Sequence, residues 1–238
     1  MKYMGSKARL MKYIKPIIEK ELAGFDYYVE PFAGGMNSIC EIDFPVKIAG
    51  DSNKYLIAMW KSLMDGKRFS HSCSKDEYDK LRKQYRGIED YGYKDDEIGW
   101  YGFTASFNGR FFDGGYNGNY KKRDYTGESA RNIENQIPKM KNVSFYCSCY
   151  TELNIPENSL IYCDIPYKGT KQYGDNKNFD YNSFYEWCCA QKDSGNKVFV
   201  SEFNIPHIRF EAVWQKEIIT QIGLNNNNHR VEKLFKVI

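Results

Sequence analysis

Residues 160–167 read LIYCDIPY, and this is the most informative stretch of the chain. Its first four residues suit a buried strand, which runs directly into Asp164, Ile165, Pro166 and Tyr167. A carboxylate, a proline-fixed turn and an aromatic ring therefore meet at the carboxyl end of one strand. In open α/β sheets, ligands bind at that edge. Because Asp and Pro are also ordinary turn residues, the stretch alone leaves a plain strand end equally open.

The same three groups suit a flat base that carries an exocyclic amine. Asp164 would accept a hydrogen bond from the amine, and Pro166 fixes the backbone so that a neighbouring carbonyl can accept another. Tyr167 offers a face for stacking, which is worth roughly 1–3 kcal/mol per base. The rest of the chain has to decide between this hypothesis and the plain strand end.

Composition sets the class of protein. The chain has 238 residues, which is ample for a full core and predicts one large domain or a core with an inserted lobe. Aromatic residues make up 16% of the chain, which suits either core packing or a base-stacking surface. The net charge is only +3, yet basic residues cluster at positions 2–20, 121–123 and 230–236. Such clusters suggest contact with a polyanion, although each one alone is more simply a solvated face.

The cysteines and the amino terminus indicate the compartment. The seven cysteines form no C-x-x-C pair, and no histidine lies near the closely spaced pairs at 147/149 and 188/189 to complete a zinc site. Most of them lie in apolar runs, which predicts core thiols in a reducing compartment and no bound metal. The first residues carry charges where a signal peptide needs an apolar run, and no stretch is long and apolar enough to span a membrane. We therefore expect a soluble cytosolic protein without a membrane partner.

The order of elements in residues 1–64 predicts a doubly wound α/β sheet. In sequence, we expect a helix over 10–22, a strand over 27–29, a loop over 30–36, a helix that begins at 38–42, a strand over 46–50 and a helix over 55–64. Pro16 is expected to kink or split the first helix.

Residues 65–142 differ in character from the rest of the chain. They are polar, rich in Tyr, Gly and Asn, and poor in hydrophobic periodicity, which predicts an inserted lobe that is partly helical around 75–85. A long decorated loop without a function is the alternative. The catalytic domain would then comprise residues 1–64 and 143–238. In its second part we expect strands over 143–146, 159–163, 197–201, 214–222 and 233–238, a helix over 181–192, and a turn at 223–228 between the last two strands.

A glycine loop and an acidic strand end indicate a nucleoside ligand. The segment EPFAGG, residues 30–35, places glycines where backbone passes close to a ligand, and Asp51 ends the next strand. The loop lacks both the G-x-G-x-x-G spacing and the Walker lysine, which argues against NAD and ATP. S-adenosylmethionine, a nucleoside without a pyrophosphate, fits better. Asp51 as an ordinary turn or N-cap residue is the alternative.

The leader KYMGSK, residues 2–7, would fold over such a ligand, with Lys7 pairing a carboxylate and Tyr3 packing on the cofactor. Taken alone, a frayed tail is the simpler interpretation.

Together these pieces resemble the Dam-type (D12, class alpha) N6-adenine DNA methyltransferases. The order matches: the Lys-Tyr-x-Gly-x-Lys leader, the Pro-Phe-x-Gly loop, the acidic strand end, an inserted target-recognition lobe and Asp-x-Pro-Tyr. Further similarity lies in residues 145–147, 167–170, 198–201 and 230–234. The chain departs from the family at two positions: Ile165 replaces the first Pro of Asp-Pro-Pro-Tyr, and Met36 replaces the last Gly of Phe-x-Gly-x-Gly.

The resemblance implies a Rossmann-like, S-adenosylmethionine-dependent methyltransferase that modifies adenine N6 in double-stranded DNA, without a metal, in the cytoplasm of a bacterial or phage-infected cell. The implied catalytic residues are Asp164, Ile165, Pro166 and Tyr167. The implied cofactor-binding residues are Tyr3, Lys7, Phe32, Gly34, Asp51 and Asp164. The implied DNA-binding residues are Asn108, Arg110, Tyr120, Lys121 and Lys122.

Other functions stay open at this point. Asp-x-Pro-Tyr chemistry also serves methylation of cytosine N4 or of an RNA base. A methyltransferase fold that has lost turnover and only binds DNA is a third possibility, and Ile165 and Met36 are the observations in its favour. The recognition sequence, GATC by family analogy alone, and any restriction or other protein partner are not given by the sequence.

Overall fold

The computed structural model describes residues 1–118, 123–168, 179–221 and 227–238, with only the backbone described for 219–221 and 227–228. The described strands are β1 Tyr27–Glu30, β2 Lys47–Asp51, β3 Val143–Cys147, β4 Ser159–Asp164, β5 Lys197–Glu202, β6 Phe210–Gln221 and β7 Asn227–Val237. The described α-helices are α1 Met11–Glu21, α2 Lys54–Met64, α3 Lys75–Tyr85, α4 Asp95–Thr104, α5 Tyr125–Glu134 and α6 Tyr181–Asp193.

All seven strands form one sheet in the order β3-β2-β1-β4-β5-β7-β6. β3, β2, β1, β4 and β5 are parallel, whereas β7 runs antiparallel to both of its neighbours. The chain moves outward from β1 in one direction and from β4 in the other, so the strand order reverses between these two strands. Ligands bind at such a switch point, outside the carboxyl ends of the strands. This confirms the predicted doubly wound α/β fold.

β4 lies at the centre of the core. Its first five residues are buried, as expected for a parallel strand that is covered on both faces. Leu160 and Tyr162 pack into one hydrophobic cluster, while Ile161 and Cys163 pack into another on the opposite face. This alternation holds the end of the strand, Asp164, rigidly at the switch point.

The predicted insertion packs directly on helix α2 of the preceding segment. Gly99 of α4 lies so close to α2 that a Cβ atom there would be 2.1 Å from the Tyr55 carbonyl oxygen. Trp100 of α4 and Tyr78 of α3 belong to the same buried cluster as Trp60 of α2. The expected helix in the lobe is confirmed as α3, which begins after Ser74, whose hydroxyl accepts from the Glu77 N–H. Residues 65 and 142 as domain boundaries stay a prediction.

Residues 38–42 form a series of turns, so the helix predicted to begin there is wrong. The physical reason lies in a residue distant in sequence. Buried Lys47 donates hydrogen bonds from its Nζ to the carbonyl oxygens of Ile39 and Ile42, each at 3.1 Å. These carbonyls are thereby withdrawn from helical bonding, and Met36, with a φ of 57°, gives the segment a left-handed start.

Pro16 does not split the first helix, because α1 runs through it without interruption. Proline lacks the backbone N–H that would donate to the carbonyl oxygen of Lys12, which lies on the exposed side of the helix. The apolar face formed by Met11, Ile14 and Ile18 keeps the helix packed. Among the described helices, none has the length and apolar composition needed to cross a membrane.

Candidate active site

The amino-terminal leader reaches the switch point through Lys7. The Lys7 Nζ lies 2.8 Å from Asp164 Oδ1 at the end of β4, and 3.8 Å from Glu232 Oε1 on β7. Lys7 is only 7% exposed, and its ammonium also lies 4.3 Å from the centre of the Tyr167 ring. The 3-10 turn that carries Lys7 begins after Ser6, whose hydroxyl accepts from the Ala8 N–H.

Burial and charge act in opposite directions on this ion pair. Burial alone would lower the pKa of the Lys7 ammonium, but the carboxylates of Asp164 and Glu232 raise it above its usual value. Burial raises the pKa of Asp164, although the Lys7 ammonium opposes the shift. The site therefore presents Asp164 as a half-buried carboxylate whose charge is supported by one cation.

Tyr167 is fixed from several sides. Its hydroxyl donates a very short hydrogen bond to Glu232 Oε1, and its ring meets the edge of Phe203 at 4.6 Å between centroids. Before it in the chain, the Pro166 carbonyl accepts from the Tyr181 hydroxyl at 2.9 Å. The tyrosine side chain is thus positioned before any ligand arrives.

The backbone after Tyr167 is tied to β5. Glu202 is 1% exposed, and its carboxylate accepts hydrogen bonds from the backbone N–H groups of Lys168 at 3.0 Å and Phe203 at 2.6 Å. Burial raises the pKa of Glu202, while these two donors oppose the shift.

The glycine loop is joined to β2 by Asp51. The Gly34 N–H donates to Asp51 Oδ2, and the Asn53 N–H donates to Oδ1, both at 2.9 Å. Burial raises the pKa of Asp51, and the two backbone donors oppose that rise. Asp51 therefore both shapes the loop and leaves carboxylate lone pairs for a hydroxyl donor.

Tyr3 covers the glycines. A Cβ atom added at Gly35 would lie 2.5 Å from the Tyr3 Cβ, and one added at Gly34 would lie 2.9 Å from the Tyr3 ring. Burial raises the pKa of the Tyr3 hydroxyl, and the charges of Asp51 and Asp164 add to the rise. The structure thus brings Tyr3, Asp51 and Asp164 together around one loop.

Another buried carboxylate, that of Glu30, lies beneath the loop. Glu30, at the end of β1, accepts hydrogen bonds from the hydroxyls of Tyr28 at 2.7 Å and Ser38 at 2.6 Å. Burial raises the pKa of Glu30 to about 8, although both hydroxyls oppose the shift. These bonds connect β1 to the turns that follow the loop.

Phe32 is half-buried in an aromatic cluster. Its ring centroid lies 5.2 Å from Tyr150, 5.6 Å from Phe184 and 5.8 Å from Phe179. The Phe32 ring therefore packs the glycine loop against α6, which carries Phe184.

The two family departures have local explanations. Ile165 is 3% exposed and packs in the cluster that contains Cys163 and Phe184, so its backbone is held by its own side chain where the family uses a proline. Met36 adopts a φ of 57°, the left-handed region that favours glycine, and its side chain is fully buried. The methionine thus keeps the backbone shape that glycine would give there.

The insertion reaches the leader at one described turn. A Cβ atom at Gly109 would lie 2.2 Å from the Lys2 carbonyl oxygen, and the Tyr3 ring lies 5.8 Å from Phe103 of α4. This contact places exposed Asn108 and half-buried Arg110 beside the leader. The other predicted DNA-binding residues, Tyr120, Lys121 and Lys122, lie outside the described residues.

Sequence reasoning assigned no role to Glu202, Phe203 and Glu232. Glu232 lies in the segment 230–234 that resembles the family. Its burial, with only 1% of the residue exposed, is what indicates a role in the site, and only the structure shows that burial. Its partner Tyr167 is 65 residues away in sequence. Within the described part of the chain, no group of three His, Cys, Asp or Glu side chains is arranged to hold a metal ion.

The sheet order, the glycine loop supported by Asp51, and Asp-x-Pro-Tyr at the switch point together define a Rossmann-like methyltransferase domain. The model of the D12 class N6 adenine-specific DNA methyltransferases matches residues 3–236, and the chain belongs to this family. The resemblance predicted from the sequence is thereby confirmed.

The chain is also similar to the Type II methyltransferase M.FokI of Planomicrobium okeanokoites. The two are 26% identical over 220 residues, which cover 78% of this chain and 32% of the relative. The chain therefore spans about a third of the length of this curated relative.

Proposed function

We propose that the protein is a site-specific DNA methyltransferase that transfers a methyl group from S-adenosylmethionine to N6 of an adenine in duplex DNA. The observation that carries the proposal is the Lys7–Asp164 pair at the switch point, 2.8 Å apart, beside the ring of Tyr167. Family membership supports the same activity. Similarity to a Type II methyltransferase supports site-specific methylation of the restriction-modification kind.

The chemistry assigned to Asp164 follows from the weakness of the target nucleophile. The lone pair of an adenine amine is delocalised into the ring. Hydrogen-bond acceptors at the Asp164 carboxylate and the Ile165 carbonyl would draw the amine hydrogens out of the ring plane and direct the lone pair at the methyl group. Positioning and electrostatics then lower the barrier, since Asp164 and Tyr167 are already held by Lys7 and Glu232.

The residues around the glycine loop fit S-adenosylmethionine. Ribose hydroxyls need acceptors, and Asp51 at the end of β2 is one. A sulfonium is a cation, which the carboxylate of Asp164 and the ring of Tyr3 suit. When bound, the cofactor supplies an activated methyl group, so Asp164 is not required to remove a proton before transfer. Tyr3, Lys7, Phe32, Gly34, Asp51 and Asp164 are the proposed cofactor contacts, and no metal is proposed.

Access to an amine inside a duplex requires the adenine to leave the helix. We assign stacking on the extruded base to Tyr167. Asn108 and Arg110 are proposed to read the sequence, since the turn that carries them lies against the leader at Lys2. Tyr120, Lys121 and Lys122 are proposed to contact the DNA backbone or bases from the same lobe.

The seven cysteines are free thiols, five of them buried, which supports a reducing cytoplasm as the place of action. This location follows the proposed role on cellular DNA.

The test is methylation of unmethylated genomic DNA with S-adenosylmethionine, with the modified base identified by nucleoside analysis and its positions by sequencing. The proposal expects N6-methyladenine in one short sequence context. Methyl transfer to cytosine N4 or only to RNA would contradict the assigned substrate, and DNA binding without transfer would contradict the activity.

A further inference from the structure

A cavity of about 440 Å³ opens beside Tyr167, between the end of β5 and the β6–β7 hairpin. It is lined by Lys168, Phe203, Gln215, Arg230, Val231 and Lys233. Phe203 connects the cavity to the site, because its ring contacts Tyr167 edge-on at 4.6 Å. We call this cavity the hairpin groove.

The hairpin groove presents three cationic side chains, those of Lys168, Arg230 and Lys233. Within the described residues, no ion pair includes Lys168, Arg230 or Lys233. The two buried carboxylates beside it are engaged elsewhere: Glu202 accepts from two backbone N–H groups, and Glu232 accepts from Tyr167 and pairs Lys7.

Arg230 is held in place by an aromatic ring. Its guanidinium carbon lies 4.8 Å from the centre of the Phe203 ring, which is itself in contact with Tyr167. A guanidinium stacked on a ring keeps its N–H donors free at the edge of the plane, where an anion can accept from them. Arg230 is therefore one ring away from the proposed base-stacking residue.

We infer that the hairpin groove binds the phosphodiester backbone of the target strand next to the extruded adenine. This inference rests on the proposed function. A nucleotide whose base stacks on Tyr167 has its own phosphates only one sugar away. Three cations in an open cavity beside that ring match a charged, sequence-independent strand. Arg230 and Lys233 would position the strand, without reading its sequence.

The hairpin supplies a matched control outside the groove. Lys216 follows Gln215 on β6, and its Nζ lies 4.5 Å from the ring of Tyr13 on α1, away from the groove. Lys216→Gln removes the same charge as Lys233→Gln from the same hairpin. A loss that depends only on net charge would appear equally in both variants.

The test is binding of a mixed-sequence DNA duplex at several salt concentrations by the wild type and by Arg230→Gln, Lys233→Gln and Lys216→Gln. Each groove variant should reduce the slope of log affinity against log salt by about one, because one phosphate contact is lost. Lys216→Gln should keep the wild-type slope. Groove variants that match Lys216→Gln would overturn the inference.

Methyl transfer to genomic DNA by the same proteins separates this inference from the proposed function. Groove variants should raise the KM for DNA and keep kcat, since they position the strand and do not touch the amine. If the wild type binds DNA but transfers no methyl group, the proposed function fails while the salt slopes still decide whether the groove binds phosphate. If the wild type methylates DNA and the slopes do not change, only the groove is refuted.

Discussion

The Nζ of Lys7 and the Oδ1 of Asp164 lie 2.8 Å apart, although the two residues belong to a leader and to a central strand at distant places in the sequence. The ionised form of the Asp164 carboxyl is therefore stabilised by the ammonium of Lys7, which belongs to the leader. The Lys7 ammonium lowers the pKa of Glu232, whereas the charge of Asp164 raises it, so loss of Lys7 would leave two carboxylates that repel each other. The leader is thus part of the candidate active site.

Replacing Lys7 by Met should move the acid limb of methyl transfer to higher pH. Lys7 favours the ionised form of Asp164, so its loss raises a pKa that burial already raises. Only the carboxylate form of Asp164 can serve as the proposed charged acceptor. Activity would therefore disappear at a higher pH as the solution is acidified. A shift of about 1–3 pH units is expected from the loss of a neighbouring cation.

The measurement is the pH profile of kcat/KM. The double variant Lys7→Met, Glu232→Gln removes one buried carboxylate together with the cation and controls for folding. An acid limb that stays where the wild type has it would show that Lys7 does not act on Asp164.

Glu232 should stabilise the fold through its acceptor oxygen. Glu232→Gln keeps the acceptor for the Tyr167 hydroxyl at position 232, whereas Glu232→Leu removes it. We expect the leucine variant to be less stable than the glutamine variant by about 1–3 kcal/mol, the cost of an unsatisfied buried polar group. Urea unfolding of both variants measures the difference. Equal stabilities would mean that the hydroxyl finds another partner.

Gly35→Ala should displace Tyr3 from the glycine loop. The new Cβ would lie 2.5 Å from the Tyr3 Cβ, a distance that side chains do not tolerate. If Tyr3 covers the cofactor, affinity for S-adenosylmethionine should fall by about tenfold, or roughly 1.4 kcal/mol.

Calorimetry on Gly35→Ala, Tyr3→Ala and the double variant tests this mechanism. Once Tyr3 is alanine, Gly35→Ala should have little further effect, because the two residues act through one contact. Fully additive losses would show that the glycine is needed for another reason.

Ile165→Pro should preserve methyl transfer and reduce stability. A proline favours an extended conformation in the residue before it, and Asp164 already ends a β-strand. The side chain of Ile165 is 3% exposed, so its replacement should cost about 1–3 kcal/mol of unfolding free energy. Turnover assays combined with urea unfolding measure both effects. A folded but inactive variant would show that this loop presents its carbonyl differently from the family.

Sequence patterns predicted those helices and strands whose structure is determined by residues within the same element. The strand at residues 159–163 and the helix at 10–22 were predicted because an apolar run and helical periodicity are visible in short windows. The turns at 38–42 were not predicted, because Lys47 holds their carbonyls from outside the segment. Pro16 was expected to kink or split the first helix, and it does not split it, because α1 runs through Pro16 and packs through its apolar face.

The candidate site shows the same division. Motif residues such as Asp51 and Asp164 were predicted from the strand ends that carry them. The role of Glu232 could not be predicted, because it depends on a hydrogen bond from the Tyr167 hydroxyl, and the two residues are 65 positions apart in the sequence. A sequence can indicate which residues carry chemistry, but the partners that hold them come from tertiary contacts.

The most direct test of the central claim is methyl transfer to DNA by Asp164→Ala, measured beside its folding and its DNA binding. Lys7 keeps Glu232 as a partner in this variant, so the protein should fold and bind duplex DNA nearly as the wild type does. The proposed mechanism predicts that N6-methyladenine formation is abolished, because the acceptor for the target amine is gone. Near-normal turnover by a folded Asp164→Ala protein would contradict the assignment of Asp164 as the catalytic carboxylate.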